Sequence, residues 1–156
     1  MSIKPGEIVP NFSLEATSNR TITQSDLTQQ YTVLYFYPKD STPGCTTEGL
    51  DFTQLHPEFK QLNCQIFGVS MDSIKRHENF KAKQNFSFDL ISDPDALLCT
   101  LFGTYQLKKN FGKEYMGIVR STFLINPKGE LIKEWRNVKV KEHAQQVLQN
   151  LKQHCN

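Results

Sequence analysis

Two continuous apolar runs frame the chain. Residues 32–37 (TVLYFY) are β-branched and aromatic up to Pro38, and residues 65–71 (QIFGVSM) read the same way. Such runs predict buried strands covered on both faces. Between them Phe52, Leu55, Phe59 and Leu62 recur at spacings of three, four and three, the period of a helix. Strand, helix and strand make a βαβ unit, within which Pro57 predicts a kink or a fresh helical turn because it lacks a backbone donor. Asp72-Ser73 offers an N-cap for a helix running to about residue 84, with Ile74, His77, Phe80 and Lys81 along one side. A short strand at 88–92 follows. Asp93-Pro94 then opens a short helix through Ala96, Leu97, Leu101 and Phe102 that Gly103 can end.

Residues 105–117 lack a clear period and carry three Lys, one Glu and two Gly, so they read as an exposed loop. Residues 121–126 and 130–135, joined by Pro127-Lys128-Gly129, predict a hairpin. A final helix over 141–152 presents Ala144, Val147, Leu148 and Leu151 as its buried stripe. Residues 11–15 and 20–23, around Thr17-Ser18-Asn19, predict an N-terminal β-hairpin. The whole is an α/β sandwich with a mixed sheet. Chemistry in such sheets gathers at the carboxyl ends of the parallel strands, and the first strand ends at Pro38.

Composition narrows this picture. A length of 156 residues suits a single domain spanning 1–156. With 38% hydrophobic and 22% charged residues, eleven Phe and five Tyr, the chain has the material of a packed core rather than a disordered one. No apolar run approaches the roughly 20 residues that cross a bilayer. The Met1-Ser2-Ile3-Lys4-Pro5-Gly6 start lacks the apolar segment of a secretory signal, so a cytoplasmic protein is expected. A net charge of +2 gives no reason to expect nucleic acid or a membrane as partner. The four cysteines, Cys45, Cys64, Cys99 and Cys155, are 19, 35 and 56 residues apart. That spacing excludes a C-x-x-C dithiol, a zinc ribbon and a disulfide-stapled scaffold.

The candidate chemistry lies just past the first strand, in Pro38-Lys39-Asp40-Ser41-Thr42-Pro43-Gly44-Cys45. Thr42 can cap a helix whose first residue is Pro43, which places Cys45 third, facing free backbone N–H groups. Negative charge is favoured there. Bringing a thiol pKa from about 8.5 to about 6 takes roughly 3.4 kcal/mol of preference for the thiolate. A helix dipole supplies about 0.3–1 kcal/mol, or ~2 at best, whereas a guanidinium about 4 Å away supplies on the order of 4 kcal/mol at an effective dielectric of 20. An arginine is therefore expected beside the sulfur. Of Arg20, Arg76, Arg120 and Arg136, the candidate is Arg120, at the start of the strand through Phe123, Leu124 and Ile125.

These residues carry a family resemblance. Pro38-x-x-x-Thr42-x-x-Cys45 resembles the peroxiredoxin active-site motif. The longer run through Tyr35-Phe36-Tyr37 and Pro43-Gly44-Cys45-Thr46 is similar to the bacterioferritin-comigratory-protein subfamily. The resemblance extends over nearly the whole chain, through Pro10-x-Phe12-x-Leu14, Gly68-Val69-Ser70-x-Asp72-Ser73, His77, Leu90-x-Ser92-Asp93, Gly112-Lys113-x-Tyr115-x-Gly117 and Arg120-x-Thr122-Phe123-Leu124-Ile125. It implies a thioredoxin-like fold and an antioxidant peroxidase that reduces hydrogen peroxide and organic hydroperoxides. In that reading Cys45 is the nucleophile and passes through a sulfenic acid. Thr42 hydrogen-bonds peroxide and sulfur, Pro38 shields the pocket, Arg120 polarises both, and Glu48 orients Arg120. No cofactor or metal is implied. The reductant is thioredoxin, glutaredoxin or a small thiol, and the subfamily leans towards a monomer.

Members of the subfamily often carry a resolving cysteine five residues after the nucleophile, where this chain has Leu50, or on the next helix, near Phe80-Lys81-Ala82. Neither place holds one here. Two cycles stay open: direct reduction of Cys45 by an external thiol, which is favoured, or resolution by Cys64, Cys99 or Cys155 after rearrangement. Cys64 and Cys99 read as packed core residues, Cys155 as a mobile tail thiol, and His56, His77, His143 and His154 as surface or local helix residues. The competing function is a non-enzymatic thioredoxin-like redox sensor or holdase that uses Cys45 only as a switch.

Overall fold

The computed structural model describes residues 2–155. A seven-stranded mixed sheet is its centre. The strands, in chain order, are β1 (Ser13–Ala16), β2 (Arg20–Thr23), β3 (Tyr31–Phe36), β4 (Cys64–Ser70), β5 (Asp89–Ser92), β8 (Ser121–Ile125) and β9 (Leu131–Arg136), and across the sheet they run β2-β1-β5-β4-β3-β8-β9. β3, β4 and β5 are parallel to one another, while the outer pairings are antiparallel. Helix α1 (Pro43–Gln61) joins β3 to β4 and α2 (Ile74–Gln84) joins β4 to β5. Both crossovers step the same way across the sheet, and right-handed connections therefore put both helices on one face.

That face is closed by α4 (His143–Cys155). Its core combines Val33, Tyr35 and Tyr37 with Cys45, Phe52 and Phe59 of α1, Phe80 of α2, and Val147, Leu148 and Leu151 of α4. The opposite face takes Leu34 and Phe36, Phe67 and Val69, and Phe123 and Ile125, and is covered by α3 (Leu97–Leu101) and the N-terminal segment through Ile3, Val9 and Phe12. Alternate residues of β3 thus enter two separate cores, and residues 32–36 are all fully or nearly fully buried. That is the burial its unbroken apolar sequence requires.

Four expectations need correction. Pro57 lies inside α1, which continues as one helix to Gln61 with no fresh turn there. Residues 105–117 are not a loop: β6 (Tyr105–Asn110) and β7 (Lys113–Ile118) form a separate two-stranded hairpin. Phe111 and Gly112 turn its tip, both at positive φ, the twist a two-residue hairpin favours. Most of its side chains are exposed, so no apolar alternation could mark the strands. The closing helix begins at His143 because Glu142 is left-handed, φ 62°, and it runs on to Cys155, which is helical rather than a loose tail. Finally, His56, His77 and His143 are buried, not superficial. Each has a polar partner within 2.6–2.8 Å: Ser87 for His56, Asp40 for His77 and Thr122 for His143. Such partnering lets a polar ring enter a core.

Candidate active site

The parallel strands deliver their carboxyl ends to one edge, and β3 leaves it through Tyr37, whose N–H still donates to Val69 at 3.0 Å. The chain then turns through Pro38, Lys39, Asp40 and Ser41. Ser41 is left-handed at φ 62° and Thr42 is extended at φ −99°, ψ 154°. Pro43 opens α1 with its fixed φ and absent donor, both suited to a first helical position. Cys45 is therefore the third residue of α1, as its sequence implies, and only 2% exposed.

Arg120 reaches the same point from β8's side of the sheet. It lies between β7 and β8, its backbone fixed by the Val138 N–H, which donates to its carbonyl at 2.9 Å, and by the Val119 N–H, which donates to Thr104 at 2.8 Å. One end of the guanidinium, Nη2, donates to Cys45 Sγ at 3.4 Å; the other, Nη1, donates to Glu48 Oε1 at 2.5 Å. Cys45 and Glu48 are three residues apart on α1 and share a face, so one planar fork can hold both. The guanidinium also lies over Gly44, where an added Cβ would sit 3.2 Å from Nη2. A positive charge and the helix N-terminus thus converge on one sulfur, and both favour negative charge there.

Burial sets the charges around this pair. Glu48 is 1% exposed and its Oε2 has no hydrogen-bond partner among the described residues, so burial pushes its carboxyl up to about 7, a rise that Arg120 restrains. Burial works against the charge of Arg120, but Glu48 and Cys45 outweigh it and raise the guanidinium further. His143, stacked edge-on against Phe52 and Trp135, is pushed down to about 4 by burial and then by Arg120. It is neutral at pH 7 and hydrogen-bonds Thr122 at 2.8 Å.

The other expected site residues are placed less simply. Thr42 is the N-cap by position, but its side chain makes no capping hydrogen bond; its hydroxyl donates to the Lys39 carbonyl at 2.9 Å. Pro38 is exposed at the start of the loop and Leu50 is exposed on α1. Cys64 starts β4 opposite Tyr31, the residue at the far end of β3. Five strand steps at ~3.3 Å separate it by about 17 Å from the end that carries Cys45, whereas a disulfide needs Cα atoms within about 7 Å. Cys99 belongs to the core on the other face of the sheet. Burial pushes the thiols of Cys64 and Cys99 up, out of the reactive range. Cys155 is exposed at the end of α4, about 18 Å of helix from His143. None of the three meets Cys45. His143 and the pair Asp40–His77 were not singled out in the sequence as site residues. For His77 the available signals were its helical phase with Phe80 and its place in the family resemblance; His143 had neither.

The chain is similar in sequence and fold to known proteins. The model of the AhpC/TSA family matches residues 5–134. Peroxiredoxin Bcp of Bacillus subtilis is 52% identical over 152 residues, covering 97% of each chain. Peroxiredoxin Bcp of Xanthomonas campestris is 56% identical over 123 residues, 79% of this chain and 77% of its own. Among solved structures, a cysteine-to-serine mutant of Xylella fastidiosa PrxQ superposes with a TM-score of 0.94 at 45% identity, over 100% of this chain and 99% of the other. The bacterioferritin comigratory protein of Xanthomonas campestris, described for its alkyl peroxide reduction activity, superposes with a TM-score of 0.89 at 48% identity, over 93% and 92%. The mixed sheet and its helices are thus the thioredoxin-like fold of those structures.

Proposed function

The chain belongs to the AhpC/TSA family as a peroxiredoxin, a thiol peroxidase, and from that premise we propose that Cys45 reduces hydrogen peroxide and organic hydroperoxides and is recycled by an external thiol. One observation carries the reading: Arg120 Nη2 lies 3.4 Å from Cys45 Sγ at the third position of α1. The sulfur attacks one peroxide oxygen. An S–O bond forms as the O–O bond breaks, sulfur gives up two electrons, and the departing hydroxide or alkoxide takes a proton from solvent to leave as water or alcohol. Cys45 is left as a sulfenic acid. Negative charge builds on the departing oxygen, and Arg120, held charged by Glu48, is preorganised to meet it. Thr42 and Pro38 shape the peroxide side of the turn. The alkyl peroxide activity of the Xanthomonas campestris protein supports the organic branch of this substrate class.

The placement of the other thiols supports the one-cysteine cycle. With Leu50 in place of a nearby cysteine and Cys64, Cys99 and Cys155 remote from Cys45, an external thiol attacks the sulfenic sulfur. Water leaves, a mixed disulfide forms, and a second thiol reduces it. Thioredoxin, glutaredoxin or a small thiol fits this role. The same reading takes the protein as a monomeric, single-domain antioxidant enzyme of the cytoplasm. No helix among the described residues is long and apolar enough to cross a membrane.

The test is peroxide consumption with dithiothreitol or thioredoxin, followed by mass spectrometry after one equivalent of peroxide. Wild type is expected to turn over, Cys45→Ser to be inactive, and a Cys64→Ser, Cys99→Ser, Cys155→Ser triple variant to keep wild-type rates, with the oxidised mass on Cys45 alone. Wild-type turnover by Cys45→Ser would overturn Cys45 as the nucleophile, and a wild type that consumes no peroxide would favour a sensor or holdase. A stoichiometric disulfide from Cys45 to another cysteine of the same chain would overturn the one-cysteine cycle. Gel filtration before and after oxidation reads the monomer.

A further inference from the structure

The turn that carries Cys45 into place is tied down by a buried knot lying apart from Arg120 and Glu48. Asp40, 2% exposed, sits in the middle of that turn. Its Oδ1 accepts from Tyr37 Oη at 2.6 Å and its Oδ2 lies 2.6 Å from His77 Nδ1, while its own N–H donates to Asp72 Oδ2 at 2.9 Å. Asp72 is in turn held by Ser70 Oγ at 2.6 Å and Arg76 Nε at 3.0 Å. The segments that follow β3 and β4 and helix α2 therefore converge on one loop residue.

The protons can be placed from the partners. His77 is fully buried, and its Nε2 is 2.9 Å from the Ile91 carbonyl, which can only accept. Nε2 therefore carries hydrogen. A bare Nδ1 lone pair 2.6 Å from a carboxylate oxygen would repel it, so a second proton lies between Nδ1 and Oδ2. The ligand-type atoms of Asp40, Asp72 and His77 all lie within 4.8 Å of one another, the spacing of a cation site. Yet each of those three side chains is already engaged by protein partners, which marks a closed structural knot.

What the knot holds is a helix start that lacks a side-chain cap. Thr42 makes no capping hydrogen bond, no acidic residue stands in the first turn of α1, and Ser41 is held left-handed, a conformation that persists only when its surroundings impose it. Cys45 follows five positions after Asp40. We propose that Asp40 and His77 are positioning residues for the peroxidase reaction: their proton-sharing contact fixes the turn over residues 37–42 and thereby keeps Cys45 under Arg120. The inference rests on the peroxidase reading above and adds two residues that touch neither substrate nor sulfur.

Two reactions of Cys45 separate positioning from mere stability. Oxidation by hydrogen peroxide needs the sulfur aligned with Arg120, whereas alkylation by iodoacetamide needs mainly access to it. Asp40→Ala is expected to slow single-turnover oxidation by about 10- to 100-fold, the effect of a misplacement of about 1 Å, while alkylation of the reduced protein quickens. Asp40→Asn is a near-isosteric rescue: its Nδ2 can donate to a neutral His77 Nδ1 and its Oδ1 still accepts from Tyr37. It should stay within about threefold of wild type in both reactions, given that only misplacement carries the loss. Tyr37→Phe keeps the ring and removes one bond, and should move both rates in the Asp40→Ala direction by less; it stands in if Asp40→Ala does not fold. Both rates falling together, or Asp40→Asn as impaired as Asp40→Ala, would overturn the proposal. If wild type itself fails to consume peroxide, the peroxidase reading falls first, and an alkylation rate unchanged in the variants would then dispose of the knot as well.

Discussion

Arg120 is the side chain on which the residue scale turns, because one guanidinium serves both the sulfur of Cys45 and the carboxylate of Glu48. Replacing it with alanine is expected to lower the rate constant for Cys45 oxidation by about 10²–10³, the usual effect of losing one preorganised donor at a developing negative charge. Stopped-flow measurement of the oxidation step reads this directly. Arg120→Lys should recover only part, since a point charge cannot bridge sulfur and carboxylate as the planar fork does. Cys45 and Arg120 were legible in the sequence for a physical reason: Thr-Pro-Gly before a cysteine spells a helix start, and a thiolate there calls for a cation from a short supply of four arginines. The hydroxyl of Thr42 was not legible, because whether a cap residue bonds its own helix or the preceding turn depends on backbone angles that composition does not encode. Nor was the burial of His77 and His143, which depends on partners 37 and 21 residues away in the chain.

At the scale of elements, the clearest fit is between α1 and the segment after α2. Gly49 lies on the buried side of α1, and a Cβ there would come within 2.4 Å of the Phe86 ring. That ring cannot retreat, being stacked on Phe88 at 5.7 Å and edge-on to Phe80 at 4.9 Å. Gly49→Ala should therefore destabilise by about 1–3 kcal/mol, as overpacking does, despite a gain of ~1 kcal/mol in helix propensity. A lower urea midpoint with unchanged slope is the expected result. The same close packing explains why β3, β4 and α1 could be read in advance: elements buried on two faces, or along one stripe, write their period into the sequence. The β6–β7 hairpin writes none, because its ladder is held by backbone bonds while Leu107, Phe111, Tyr115 and Met116 stay exposed. Pro57 starts no fresh turn, since a long helix packed under α4 and β4 tolerates one missing bond.

For the whole molecule, two buried groups near Arg120 give the pH dependence of stability an opposed pair of contributions. Glu48 rises from 4.5 to about 7 on folding, so the folded protein binds more protons than the unfolded chain between those values. Stability from this source is full below about 4.5 and declines by on the order of 3 kcal/mol as pH climbs to 7. His143 falls from 6.5 to about 4, so the unfolded chain binds more protons there. Its contribution is full above 6.5 and declines by a similar amount, about 3 kcal/mol, as pH drops towards 4. The two windows overlap and largely cancel in wild type. Glu48→Gln removes one of them: the variant should match wild type near pH 4.5 and exceed it progressively up to pH 7. Urea unfolding across that range measures the difference, and parallel curves would contradict the burial of an ionising carboxyl.

The sheet also keeps one thiol apart from the rest, with Cys99 behind it and Cys64 and Cys155 at its far end. On the one-cysteine cycle this separation fixes a lifetime. An oxidised molecule cannot store its two oxidising equivalents as an internal disulfide, so the sulfenic acid persists until a reductant arrives by diffusion. During that wait a second peroxide can carry the same sulfur to the sulfinic state, which thiols do not reverse. Inactivation per turnover should therefore rise with the ratio of peroxide to reductant, making the enzyme suited to scavenging at low peroxide flux and self-limiting under a surge.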